Sequence, residues 1–202
     1  MSWIDQNLIF LNLKPEELIA LTAYGEAKNE GGEGLMAVIN VIKNRVYDMQ
    51  FVDKEIYNLT GSLWHAVILK PYQFSMYNIG DPVRKMAEKI ASNFSYYLST
   101  DDILKKAYIL AQMAISGQLE DNTGGATHYH ADYVYPNWAK VFDRTVQIGR
   151  HIFYSIYPEW MRKPVVVLGY EVKPVNLVLF IGVLVLMGFS IAKKLKTGGS
   201  YG

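Results

Sequence analysis

Three carboxylates crowd into the stretch Tyr24-Gly25-Glu26-Ala27-Lys28-Asn29-Glu30-Gly31-Gly32-Glu33-Gly34, and Glu26 is the one whose setting suits acid catalysis. It falls at helical spacing from Ile19 and Ala23, after a run (Leu18, Ile19, Ala20, Leu21, Ala23) that leaves no wet side, so it should stand where a core helix ends. Burial there disfavours the ionised form and raises the pKa, as a general acid at neutral pH requires. Glu30 and Glu33 are candidate substrate-binding carboxylates, since a hydrolytic mechanism uses a second acid to stabilise an oxocarbenium ion or to activate water. Each also has a simpler local role. Glu33 complements the dipole of a first helical turn, and Glu30 hydrogen-bonds the glycine bend.

Gln73 and Thr127 can offer amide and hydroxyl contacts to sugar hydroxyls or acetamido groups. Tyr72, Phe74, Tyr129 and Trp138 can offer flat faces to sugar rings, although Phe74 and Trp138 suit a core equally well. His128 and His130, two apart on a predicted strand, point the same way and line a cleft or bind backbone. A rival reading joins them to Asp132 or His151 as a zinc site of the sort used by metal-dependent amidases or peptidases. An H-x-H pair is a weak metal signal, and the expected cofactor and metal are none.

The elements that must position these residues follow from periodicity and punctuation. Leu8 to Leu13 reads as a short strand or extended arm. Pro15 opens a helix with Glu16 and Glu17 in its first turn, and this helix reaches Glu26 or a little beyond. A second carries Leu35, Val38, Ile39 and Ile42 on one face, with Asn40, Lys43, Asn44 and Arg45 as its wetter side. Tyr47 to Gly80 loosens into a long aromatic-rich region, the kind of loop that is usually functional. Asp81-Pro82 then supplies a cap and first-turn proline for a helix traced by Val83, Met86, Ala87, Ile90 and Phe94, and a fourth runs from Ile103 through Ala114. Thr127 to Tyr133 and Val146 to Ile156 each alternate like a strand and should pair into a small antiparallel sheet. Helices first and a short sheet later make the fold class α+β.

A chain of 202 residues suits one domain of ordinary size. Its 20 basic and 19 acidic residues give a net charge of +1 and no electrostatic case for nucleic acid. With no cysteine, disulfides, thiolate zinc sites and cysteine nucleophiles are excluded. The opening Met1-Ser-Trp-Ile-Asp-Gln-Asn lacks the basic region of a secretory signal. Val175 to Ala192 is free of charge and is followed by Lys193, Lys194 and Lys196, so it is expected to be a single transmembrane helix in a lipid membrane. Similar positive charge on both flanks leaves its orientation open. The expected organisation is a catalytic domain over 1–160, a linker over 161–174, the spanning helix over 175–192 and a basic tail over 193–202. Oligomeric state is not legible.

Tyr24-Gly25-Glu26-Ala27 with Glu30 and Glu33-Gly34, then Val38 to Val46, resembles the opening block of the spore-cortex-lytic (SleB-type) cell-wall hydrolases. Tyr72-Gln73-Phe74-Ser75 is similar to that family's central motif. Ala126 to His130, with Pro136, Trp138-Ala139 and Ile148 to Tyr154, is similar to its C-terminal signature. The resemblance covers about residues 16 to 155. It implies a lysozyme-like, mainly helical domain with a small antiparallel sheet, acting without a cofactor on peptidoglycan glycan strands between N-acetylmuramic acid and N-acetylglucosamine. It also implies that Glu26 is the catalytic glutamate of a lytic transglycosylase or muramidase, with Gln73, Thr127 and Tyr129 in the cleft. An enzyme with this substrate and no leader needs another route to it, and carriage in a bacteriophage virion is one expectation. A non-catalytic peptidoglycan-binding module on a membrane is the remaining alternative.

Overall fold

The computed structural model describes residues 2–162, 165–167 and 170–172. Residues 1–156 form one compact unit and 157–202 a second.

In the first unit, Ser2 caps a short helix α1 (Trp3–Gln6), and α2 (Leu8–Leu11) follows directly. The run expected as an extended arm is thus helical. It has no period-two alternation to present to a sheet, and it buries Phe10 edge-on against Tyr77. Helix α3 (Pro15–Ala27) begins with proline at its first position, and Glu17 accepts the Lys14 backbone N–H at 2.9 Å. Leu18 to Tyr24 are buried without a break, so α3 is the axis of the domain. It packs against α4 (Gly31–Val46) and against α9, introduced below.

The region expected to be loose is largely ordered into α5 (Lys54–Thr60) and α6 (Leu63–Ile68), with single 3₁₀ turns at Met49–Phe51 and Ser75–Tyr77. Asp53 and Ser62 cap the two helices. The helix expected after Asp81-Pro82 is two. Asp81 takes the Val83 N–H at 2.8 Å and so caps a turn, α7 (Arg84–Ser92) starts beyond it, and a break at Asn93 leads into α8 (Phe94–Thr100). Asp101 caps α9 (Asp102–Ile115) and also accepts the Tyr24 hydroxyl at 2.7 Å, which ties α9 to α3.

The sheet follows as β1 (His128–Ala131), β2 (Asp143–Ile148) and β3 (His151–Ser155), antiparallel in the order β1-β3-β2. The alternating run Val146 to Ile156 is therefore a hairpin rather than one strand. Gly149 breaks it with φ at 55°, a backbone state that favours glycine. Tyr129, Ala131, His151 and Phe153 share one face by their register, and His128, His130, Ile152 and Tyr154 share the other. Phe153 packs with Ala37 and Val41 of α4, which seats the sheet on the helices.

In the second unit, α10 (Glu159–Arg162) precedes an antiparallel pair, β4 (Val165–Val167) and β5 (Tyr170–Val172), within the stretch expected as a linker. Among the described residues no helix is long and apolar enough to cross a membrane, which corrects the expected fold class to an α+β, mostly helical domain with a three-stranded sheet. The segment Val175 to Ala192, on which that expectation rested, lies outside the described residues. Its apolar composition reports a preference to leave water, which a spanning helix is one of several ways to meet.

Candidate active site

Glu26 stands in the last turn of α3, at the end of the buried helix. A side chain at the preceding Gly25 would put its Cβ 2.6 Å from Met76 Sδ, so glycine there lets the Ser75–Tyr77 turn close against the helix beside the carboxylate. Burial pushes the Glu26 carboxyl above its usual value. A hydrogen bond from Tyr129 works against the rise, the charge of Asp81 adds to it, and Arg45 opposes it.

Tyr129 reaches Glu26 from β1, its hydroxyl donating to Oε2 at 2.8 Å. Burial and the neighbouring glutamate hold the phenol well above its ordinary pKa, so the proton in this bond belongs to the tyrosine. Behind the pair lies Arg45, which is 6% exposed. Its Nε donates to the Thr127 carbonyl at 2.7 Å, and its guanidinium carbon sits 5.4 Å from the Phe51 ring and 5.3 Å from Phe74. Burial lowers its pKa to about 10, which leaves it cationic at neutral pH, and Nη1 is buried without a hydrogen-bond partner.

A cleft of about 280 Å³ opens in front of Glu26. Gly25, Glu26 and Glu30 line it from α3 and the bend, and Ala131, Arg150 and His151 from the sheet. Glu30 spans the two sides, accepting the backbone N–H of Arg150 at 2.9 Å with Oε2. A Cβ at Gly149 would run into that carboxylate, so the hairpin turn is fitted to Glu30 as well as to its own backbone. Glu30 thus fastens the hairpin rather than the glycine bend. Glu33 is exposed and turned elsewhere, accepting from Asn122 Nδ2 at 3.1 Å.

The other expected contacts separate. Tyr72 is 83% exposed, carries a positive φ of 66° and has its ring 6.0 Å from Trp3. Gln73 is half-buried, with its backbone N–H on the Lys70 carbonyl at 3.1 Å. Neither is among the residues lining the cleft. Thr127 is 2% exposed, with Oγ1 3.0 Å from His128 Nδ1. His128 is set among Phe51, Trp138 and Phe142, and burial lowers its pKa to about 4. His130 is stacked on Tyr154, with Nδ1 2.8 Å from the Ala131 carbonyl and Nε2 3.2 Å from the Tyr154 hydroxyl. Both of its ring nitrogens are taken up, and among the described residues no group of three His, Asp or Glu is arranged to hold a metal ion.

The sequence reading misses what the polar side of α4 does. Asn40, Lys43, Asn44 and Arg45 hold the segment Leu119 to Thr127 through its Glu120, Leu119, Ala126 and Thr127 carbonyls, and so aim Tyr129 at Glu26. Their helical clustering was visible, but a cluster of polar residues looks the same whether it meets water or backbone. Arg150, on the far wall, enters the sequence reading only as part of a motif, and His151 only there and as a possible zinc ligand.

The family model described as Cell Wall Hydrolase matches residues 29–154, a span that begins just beyond Glu26. The spore cortex-lytic enzyme of Halalkalibacterium halodurans is 30% identical over 138 residues, which are 68% of this chain and 33% of that protein. The chain therefore spans about a third of the length of that relative. Two solved structures align with 70% of this chain: the catalytic domain of the Bacillus cereus SleB protein (TM-score 0.46, 24% identity, 89% of that chain) and the catalytic domain of the germination-specific lytic transglycosylase SleB from Bacillus anthracis (TM-score 0.47, 25% identity, 93% of that chain). With the family model covering more than half of its residues, this chain belongs to the cell wall hydrolase family of enzymes.

Proposed function

We propose that the chain cleaves peptidoglycan between N-acetylmuramic acid and N-acetylglucosamine as a lytic transglycosylase, with Glu26 as acid and then base. The observation that carries this reading is a carboxyl at a cleft whose pKa burial raises, held on Oε2 by a phenol that does not give up its own proton. Family membership supports the choice of polymer.

Protonated Glu26 gives its proton to the glycosidic oxygen, and the C1–O bond breaks toward an oxocarbenium-like state. The carboxylate left behind is stabilised by the Tyr129 hydrogen bond and the Arg45 charge, which grow in value as the negative charge forms. It then takes the proton from the 6-hydroxyl of the muramic sugar, whose oxygen closes on C1 to give a 1,6-anhydro ring. The balance needs no water. Glu30, the other glutamate lining the cleft, already accepts the Arg150 N–H, which favours the single-carboxylate route over hydrolysis.

Digestion of purified peptidoglycan followed by mass spectrometry of the muropeptides tests this. Products ending in 1,6-anhydro-N-acetylmuramic acid, lost in Glu26→Gln, are expected. Reducing ends would make the enzyme a hydrolase, and undiminished cleavage by Glu26→Gln would remove Glu26 from the mechanism.

A further inference from the structure

His151 opens β3 directly across from Ala131 of β1, on the sheet face that carries Tyr129. Its ring lines the cleft with Glu26 and meets Tyr129 edge-on, 5.2 Å between centroids at 71°. Tyr129 thus stands between the imidazole and the glutamate it holds. Nδ1 of His151 is buried without a hydrogen-bond partner, and among the described residues none bonds the ring at its other nitrogen. Since Nδ1 is the buried nitrogen of a ring that lines the cleft, Nε2 is the nitrogen placed to meet a ligand there.

A neutral imidazole carries one proton, on one of its two nitrogens. A buried N–H without an acceptor is rarer in proteins than a buried lone pair without a donor, so the proton belongs on Nε2. The groups around the ring bear on its charge in both directions. Burial disfavours the imidazolium, Glu30 and Asp132 favour it, and Arg150 and His130 oppose it, with a net lowering of the pKa. Ala131 beside His151 and Val83 in the same lining are small apolar surfaces. A neutral N–H donor next to methyl-sized apolar ground matches an acetamido group, whose carbonyl accepts while its methyl packs.

We infer that His151 is a substrate-contacting residue that donates from Nε2 to the acetamido carbonyl of an N-acetylhexosamine in the cleft, and so selects N-acetylated glycan strands. This rests on the peptidoglycan reading above and adds to it a specificity-determining residue outside the acid–base pair.

The test compares soluble peptidoglycan strands with the same strands after enzymatic de-N-acetylation. Wild-type enzyme should prefer the acetylated strands. His151→Phe keeps the ring and removes the donor, and because Nδ1 has no partner to lose the variant should melt no lower than wild type. It should raise KM on acetylated strands about 3- to 10-fold, the range of one neutral hydrogen bond, with kcat within about twofold and the preference for acetylated strands gone. His151→Gln places an amide donor near the position of Nε2 and should restore part of the preference. Equal kinetics for wild type and His151→Phe, or a loss in His151→Phe that falls alike on both substrates, overturns the assignment. If the Phe variant fails to fold, His151→Leu, which also lacks a donor, takes its place: loss of the preference for acetylated strands supports the contact and an undiminished preference refutes it. Failure of wild type to cleave either substrate would instead strike the peptidoglycan reading itself, so the two ideas fall separately.

Discussion

The two faces of the small sheet use similar residues to opposite ends. On one, Tyr129 bonds the Glu26 carboxylate and His151 lines the cleft, Nδ1 of its ring without a hydrogen-bond partner. On the other, His128 and His130 are packed among Trp138, Phe142 and Tyr154, within ring distances of 4.9 to 5.6 Å. Strand alternation alone assigns the sides, since one residue along β1 reverses direction. Residue type therefore does not identify chemistry here; what decides is whether a polar atom is already spoken for. His130 has partners on both ring nitrogens and is structural, whereas His151 has none among the described residues.

This contrast can be broken or sharpened by substitution. Glu26→Gln should carry the largest effect, a fall in turnover of about 10²- to 10⁴-fold, the usual worth of a positioned general acid, read as release of soluble muropeptides. Next is Tyr129→Phe, expected to slow turnover about tenfold. Its more telling readout is the pH profile. The Tyr129 bond favours the ionised glutamate, so its loss raises the Glu26 pKa further and moves the alkaline limb of kcat/KM to higher pH. A limb that stays put would mean that Tyr129 does not act through Glu26.

Substitutions on the back face should change stability instead. Trp138→Ala removes the ring that His128, His130, Phe142 and Tyr154 all contact, and should cost about 2 kcal/mol in denaturant unfolding, below the full core value because Trp138 is half-buried. Turnover per folded molecule should hold within a few-fold. A selective loss of activity would place the back face in the mechanism. The effect expected of His128 is confined to acid pH and absent where the enzyme is assayed near neutrality. Its folded pKa of about 4 lies below the ordinary 6.5, so the unfolded chain binds the proton first as pH falls. Stability attributable to the neutral ring is complete above about pH 6.5 and declines toward pH 4, and His128→Phe should flatten that decline in melting curves taken across the range.

How much of this was readable beforehand differs by region. Helix α3 was legible almost to the residue because Leu18 to Ala23 leave no side for water, and a helix with no wet side has one place to go. Glu26 inherits its burial from that same run. The Val146 to Ile156 hairpin was misread because alternation continues in phase through the turn, and only the positive φ of Gly149 marks the reversal. Arg45 was misread in the other direction. A guanidinium on an otherwise amphipathic helix is assumed to be wet, yet Phe51, Phe74 and the Thr127 carbonyl close over it from segments distant in the chain.

By itself the amino-acid order determined the local periods, the glycine and proline punctuation and one acid placed at the end of an apolar helix, because these depend on neighbours within a few positions. Which polar groups would be consumed by partners and which left open to the cleft was decided only when distant segments met. Glu30 bonded to Arg150, Arg45 to Thr127 and His130 to Tyr154 are pairings across the fold, and no pattern confined to one segment encodes them.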